Sequence, residues 1–332
     1  MMTDNLIQLA IKIATCTLVD ARKIAAEYGV KGNIWTFGNP KTSKGESMGY
    51  YTGILHLAAG VSSGVANMCK WMTKQCRFLC LGLKAGRAAL GPRKLNVCQK
   101  ARVNRTKLYK YHRAAFMAIA KHGIEAGIRK ADRLGLTFVF RPNGTSDEDF
   151  TELIKAYPNH QAYDYTKSID KMRDYLAGRL PKNYHLTFSL SESNHEDARW
   201  VLDNGGNVAM VCDLDASLFC GLYPEWRINA DGRAYRTIVG DAHDCRFLDD
   251  GPNEDGSGNL IVLKLKIANG YIKSDLWDIL LGGFIQLQSQ PHPDSMVIKY
   301  AKHATPDQLH VLSTRREWLA MAAAQVEEKV AC

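Results

Sequence analysis

The chain has 332 residues, 46% of them apolar, and a net charge of +9, enough to bury a full core in one large domain with appendages. No run of eighteen apolar residues offers a membrane span, and MMTDNLIQLAIKIATC lacks the basic start and small-residue cleavage site of a secretory signal. A soluble, intracellular protein is expected, and its nine cysteines fit a reducing compartment, where clustered cysteines more often bind metal or react than pair.

Residues 3–29 join a Thr-Asp start, apolar positions at helical spacing (Leu6, Leu9, Ile13, Leu18, Ile24) and a Gly stop, which predicts one or two helices within an N-terminal segment, 1–45. NIWTFGNPKTSKGESMGYY, rich in Gly, Ser, Pro and Lys, reads as a loop. Strands are predicted at 50–57, 136–141, 160–165, 184–190, 207–213, 236–240 and 259–267, mostly short β-branched and aromatic runs. Between several of them lie helical patterns that follow a capping Ser, Thr or Asn: TKLYKYHRAAFMAIAKHGIEAGIRKADR, SDEDFTELIKAY, TKSIDKMRDYLAG and SNHEDARWVLDNGG. The alternation predicts an α/β protein with a parallel sheet: a TIM-like (β/α) barrel, closed or incomplete, is favoured over an open sheet, spanning residues 46–300, with a basic cysteine-containing insertion at 67–124 and a C-terminal helix within 301–332.

Charge is unevenly placed. Residues 47–124 contain fourteen Lys and Arg and no Asp or Glu, which leaves a net −5 for the rest of the chain. A solvated face normally mixes signs, so a polyanion is the simplest partner. Lys70, Lys74, Arg77, Arg87, Arg93, Lys94, Arg102, Arg105 and Lys107 are the candidate nucleic-acid contacts.

In a barrel the chemistry sits at the carboxyl ends of the strands. The predicted strands end in polar clusters: Arg141, Asn143, Ser146 and Asp147; Asp164, Thr166 and Lys167; Ser189, Ser191, Glu192 and Asn194; Asp213 and Asp215; Asp241, His243 and Asp244. Asp147 and Asn194 also suit helix caps, and Lys167 suits a partner for Asp164, a carboxylate set between two tyrosines where burial without a partner is costly.

Cys69, Cys76 and Cys80 follow the first of these strands as C-x6-C-x3-C. Three thiolates can close on zinc with a fourth ligand, for which Cys98, Cys212, Cys220 and His56 are candidates, or hold a [4Fe–4S] cluster with one iron left open. On a helix they also read as three core thiols.

The ordered set GNPKT (38–42), GILHLA (53–58), N-x-C-x6-C-x3-CL (67–81), AGR (85–87), AR-x2-RT (101–106), NGTSD (143–147), YDYTK (163–167), NYHLTFS-x-SE-x-N (183–194), GGNVA (205–209) and GD-x2-D-x-RFLD (240–249) resembles a tailed-phage family of numbered gene products, across roughly residues 38–270. Within it the chain looks like the phage 7-deazaguanine DNA transglycosylases, relatives of the tRNA-guanine transglycosylases. That resemblance implies a barrel in the host cytoplasm acting on DNA and a preQ0-type 7-deazaguanine base, with zinc in a structural site. It also implies an Asp nucleophile on C1′ and a second carboxylate as acid or base, for which Asp147 and Asp164 stand, with Arg141, Asn143, Ser146, Thr166, Lys167, Ser189, Ser191, Glu192 and Asp241 around the substrate. Those enzymes carry C-x-C-x2-C and a later His after the barrel, a pattern absent from this sequence. An early cysteine triad is instead similar to a radical S-adenosylmethionine barrel, which implies a [4Fe–4S] cluster, although the usual C-x3-C-x2-C is also missing. A nucleic-acid-binding protein without catalysis is the third expectation.

Overall fold

The computed structural model describes residues 16–38, 40–83, 95–228, 232–266, 282–287 and 291–301. The N-terminal half contains α1 (Leu18–Glu27), β1 (Trp35–Thr36), α2 (Pro40–Glu46), β2 (Tyr50–Leu55), α3 (Lys74–Leu79), α4 (Val97–Tyr111), α5 (Arg113–Leu134), β3 (Thr137–Arg141) and α6 (Thr151–Lys155). The C-terminal half contains β4 (Gln161–Thr166), α7 (Ile169–Leu176), β5 (Tyr184–Ser189), α8 (His195–Asp203), β6 (Val208–Cys212), α9 (Ala216–Leu222), β7 (Glu225–Arg227), β8 (Ala234–Val239), β9 (Leu260–Lys264), β10 (Ile285–Gln286) and α10 (Met296–Ala301). No helix among the described residues is long and apolar enough to cross a membrane. The helix expected near the C-terminus lies outside them.

β2 to β6 lie side by side in chain order and run parallel, followed in the sheet by β9 and then β8, also parallel. β1 and β7 end the sheet antiparallel, and β10 pairs with the end of β6. The mixed α/β class with a mostly parallel sheet holds, but the sheet is open, which corrects the favoured barrel toward the open-sheet alternative. After β6 the chain skips a place to form β8, and β9 returns into the gap, so the stepwise order that closes a barrel stops there. Two local expectations also change. The supposed loop at 33–51 contains β1 and α2, with Pro40 at the first helical position, where its missing N–H costs nothing. The single long helix is two, because His112 leaves helical geometry (φ −139, ψ 62) between α4 and α5.

Side chains alternate between two faces of the sheet. The helix face is apolar, built from Leu55, Phe138, Phe140, Leu186, Phe188, Met210 and Val262 under Trp35, Phe116 and Phe150. α5 fits closely because Gly123 and Gly127 lie one turn apart; a Cβ on either would run into Trp35 or Phe138. The other face carries Thr52, Arg141, Tyr163, Tyr165, His185, Thr187 and Ser189. Residues 240–250 fold across part of it. Phe247 meets Tyr50 edge-on at 5.1 Å and Tyr163 at 5.4 Å, and Arg246 beside it is wholly buried.

Candidate functional site

At the carboxyl ends of the strands this second face opens into a cavity of about 470 Å³. Its floor takes one residue from each of five adjacent strands: Arg141, Tyr165, Ser189, Val211 and Leu263. Cys69, Met72, Cys76, Leu79 and Cys80 form one wall, and Lys44, Asp241, His243, Asp244, Lys264 and Lys266 another. A smaller lobe of about 130 Å³ shares Cys69, Cys76 and Arg141 and adds Trp71, Asn143, Ser146, Asp147, Thr166 and Lys167.

The cysteine wall is the loop from β2 through α3, and α4 grips both of its ends. Thr106 Oγ1 accepts from Ala58 N (2.8 Å), Arg105 Nη1 donates to His56 O (3.4 Å), and Gln99 Nε2 and Arg102 Nη1 donate to Gly82 O (2.7 and 2.8 Å). The middle rests on the loop after β3: Asp147 N donates to Met68 O (2.8 Å), and Thr145 Oγ1 to Leu57 O (2.6 Å). Glu192 reaches over from the end of β5 and accepts from Thr73 Oγ1 (2.8 Å) and Gln75 N (3.0 Å), setting a carboxylate at the start of α3, where the helix dipole favours one.

Cys69, Cys76 and Cys80 are partly exposed residues that line this wall and stand outside the apolar core cluster. Burial pushes Cys69 up to about 12, with Cys80, Asp147 and Cys76 adding to it, and burial raises Cys80 as well, with Cys76 adding to it. The thiols therefore sense one another, and a metal would have to displace their protons. Among the described residues no three His, Cys, Asp or Glu side chains close tightly enough to grip an ion in this conformation. Cys69, Cys76 and Cys80 nevertheless line one cavity, and three thiols are the donor type that a thiolate-held centre would use. His56, Cys98, Cys212 and Cys220 are not among its lining residues. Cys212 lies on the helix face and Cys98 is exposed on α4.

The remaining expected residues divide. Arg141, Ser189 and Asp241 line the main cavity, and Asn143, Ser146, Asp147, Thr166 and Lys167 the lobe. Arg141 pairs with Asp244 at 3.1 Å and lies 4.7 Å over the Tyr165 ring. Asp147 accepts from Thr166 Oγ1 and Lys167 N, both at 3.0 Å, so it ties two strand-end loops rather than capping a helix. Asp241 accepts from Lys264 N (2.7 Å) and Lys266 Nζ (3.1 Å). Asp164 turns to the helix face, fully buried, and accepts from Asn143 N (2.8 Å), Asn143 Nδ2 (3.0 Å) and the Tyr184 hydroxyl (2.9 Å). Burial pushes its carboxyl up to about 6 against the pull of Lys171, Arg141 and Asn143. Ser191 and Asn194 close the loop after β5, Ser191 N donating to Asn194 Oδ1 at 2.7 Å.

Of the cations, Lys70, Lys74 and Arg77 are exposed on the cysteine loop and Lys107 is half-buried on α4. Arg102 and Arg105 turn inward under that loop, a correction that follows from their sharing a helical face with Gln99 and Thr106. Arg87, Arg93 and Lys94 lie outside the described residues. Tyr165, Met72 and Trp71 are lining residues that were not anticipated. For Tyr165 the signal was available, since strand alternation puts it on the same face as Tyr163 and opposite Asp164.

A family model described as Gene product 88 matches residues 32–267. No match to a curated protein or to a solved structure was found.

Proposed function

The chain belongs to the Gene product 88 family, a numbered gene-product family of tailed phages, and from its cavity we propose an iron–sulfur enzyme of radical S-adenosylmethionine type that acts on a nucleotide or nucleic acid. The observation that carries this reading is the placement of Cys69, Cys76 and Cys80: they follow the first parallel strand and line the cavity at the strands' carboxyl ends, where open parallel sheets bind ligands. These three residues would hold the cluster. When bound, such a centre supplies an electron to a sulfonium ligand and so generates a carbon radical able to take a hydrogen atom from a second molecule.

The chain's own side chains would do the rest. Arg141, buried on the floor with Nε unpaired among the described residues, offers a guanidinium to a ligand carboxylate or phosphate, and Tyr165 and Asp244 fix its orientation. Met72, Val211, Leu263 and Phe284 give the cavity apolar walls that exclude water from a reactive intermediate. Anaerobic purification is expected to give brown protein with iron and sulfide in near-equal amounts, lost on Cys69→Ala, Cys76→Ala or Cys80→Ala. Colourless protein with stoichiometric zinc would overturn this reading.

Base exchange in DNA with a 7-deazaguanine, zinc serving a structural role, is the second reading, and Asp147 in the lobe favours it. Asp164 is bonded away from the cavity, so Asp147 is the single carboxylate among the described residues lining the lobe. Mass spectrometry of nucleosides from cells that make both the protein and preQ0 tests it: a 7-deazaguanine deoxynucleoside lost in Asp147→Asn supports base exchange.

A further inference from the structure

The outer surface of the cysteine loop differs in character from its cavity side. Trp71 is 42% exposed at the entrance to the smaller lobe, an unusual place for the largest aromatic side chain. Beside it Lys70 is exposed, and α3 presents Lys74 and Arg77 one turn apart, both exposed, while Leu79 is buried. Residues 47–124 contain no carboxylate. Two neighbouring carboxylates from outside this segment already have partners: Glu192 is taken up by Thr73 and Gln75 at the start of α3, and Asp147 by Thr166, Lys167 and Lys171.

We propose that this surface is a docking platform for single-stranded nucleic acid, on which Trp71 stacks a base at the mouth of the lobe and Lys70, Lys74 and Arg77 hold the flanking phosphates. Resting on the reading of the cavity as the reacting centre, it names the substrate as a nucleotide within a strand. Interleaved cations and an exposed aromatic are the means by which proteins hold single strands, because every base has a face to stack. A duplex satisfies the cations but leaves Trp71 without a base unless a nucleotide leaves the stack. Lys167, in the same lobe as Trp71, extends the positive surface toward the cavity.

Anisotropy titrations of a labelled oligonucleotide, single-stranded and as the duplex of the same sequence, test this on the full chain with no metal required. The single strand is expected to bind more tightly. Trp71→Ala should weaken it about tenfold and Trp71→Phe much less. Lys74→Gln and Arg77→Gln should each lower the slope of log affinity against log salt by about 0.7. Thermal melts matching wild type show that the variants remain folded. Equal binding of both forms with Trp71→Ala unchanged, or binding of polyglutamate in place of the oligonucleotide, would overturn the proposal. Iron content of the same preparations separates the two readings: metal-free protein that prefers the single strand keeps this inference while the cluster fails, and iron-loaded protein indifferent to it does the reverse.

Discussion

The cysteine loop and the 240–250 segment both border the cavity, and the guanidiniums behind them are held in different ways. Behind the loop, Arg102 and Arg105 donate to the carbonyls of Gly82 and His56, and burial pulls both below the usual arginine value. In the other wall, Arg246 donates to Gly240 O at 3.0 Å and also to His243 O, and its Nη1 lies 3.2 Å from Asp249. Arg141 has Asp244 at 3.1 Å. Arg246 is held in an ion pair inside its own segment and acts as structure, whereas Arg141, on the cavity floor, keeps Nε without a partner among the described residues. Arg102 and Arg105 hold their loop through neutral carbonyl acceptors.

The sharpest way to break this contrast is to remove one guanidinium from each wall. Arg246→Gln leaves Asp249 buried without its cation and is expected to cost about 3–5 kcal/mol in urea unfolding. Arg102→Gln removes a hydrogen bond to a carbonyl but strands no carboxylate, and should cost about 1–2 kcal/mol. Equal losses would mean that the two walls do not differ in kind.

A second comparison concerns pH. His185, on the same face as Arg246, is pushed down to about 4 by burial and by Arg246. The native state therefore binds fewer protons than the unfolded chain between about pH 4 and the usual histidine value of about 6.5. The stability this contributes is fully present above about pH 6.5 and is lost as pH falls through the window, at most about 3 kcal/mol before solvent screening. Asp164, raised to about 6 on the opposite face, has the reverse sign: it contributes most when protonated, and that contribution falls as pH rises toward 6. Unfolding free energies measured at intervals from pH 4 to 8 should show a flatter acid limb in His185→Gln and a steeper one in Asp164→Asn. Parallel curves for both variants would remove the assignment.

How much of this was legible in the sequence varies from segment to segment. The seven strands were, because β-branched and aromatic runs separated by capped helices leave few alternatives. The cysteine wall was too, since three thiols after the first parallel strand must lie at its carboxyl end. Closure was not: the order of β8 and β9 depends on packing far from either. Arg102 and Arg105 stand in one basic run with Lys100 and Lys107, and only their helical phase with Gln99 and Thr106 distinguishes an inward cation from an outward one. The GD-x2-D-x-RFLD motif read as a polar mouth cluster, and Asp241, His243 and Asp244 do line the cavity; the buried role of Arg246 behind them depends on a chain reversal no local pattern announces.

The smallest expected effect concerns Glu192, a carboxylate that reaches the start of α3 from the end of β5. Glu192 serves the start of α3 twice, as acceptor for Thr73 and Gln75 and as a negative charge at the helix's positive end. Glu192→Gln keeps one acceptor oxygen and loses the charge, so stability should drop by only about 0.5–1 kcal/mol. Glu192→Ala loses both, and about 1–2 kcal/mol is expected, as for other lost caps. Because α3 carries Cys76 and leads into Cys80, the local consequence should exceed the global one. Iodoacetamide labelling of these two cysteines, followed by mass spectrometry, should accelerate in the Ala variant while Cys212, buried on the helix face, keeps its rate. If Cys212 accelerates in step, Glu192 supports the whole fold and the loop has no separate latch.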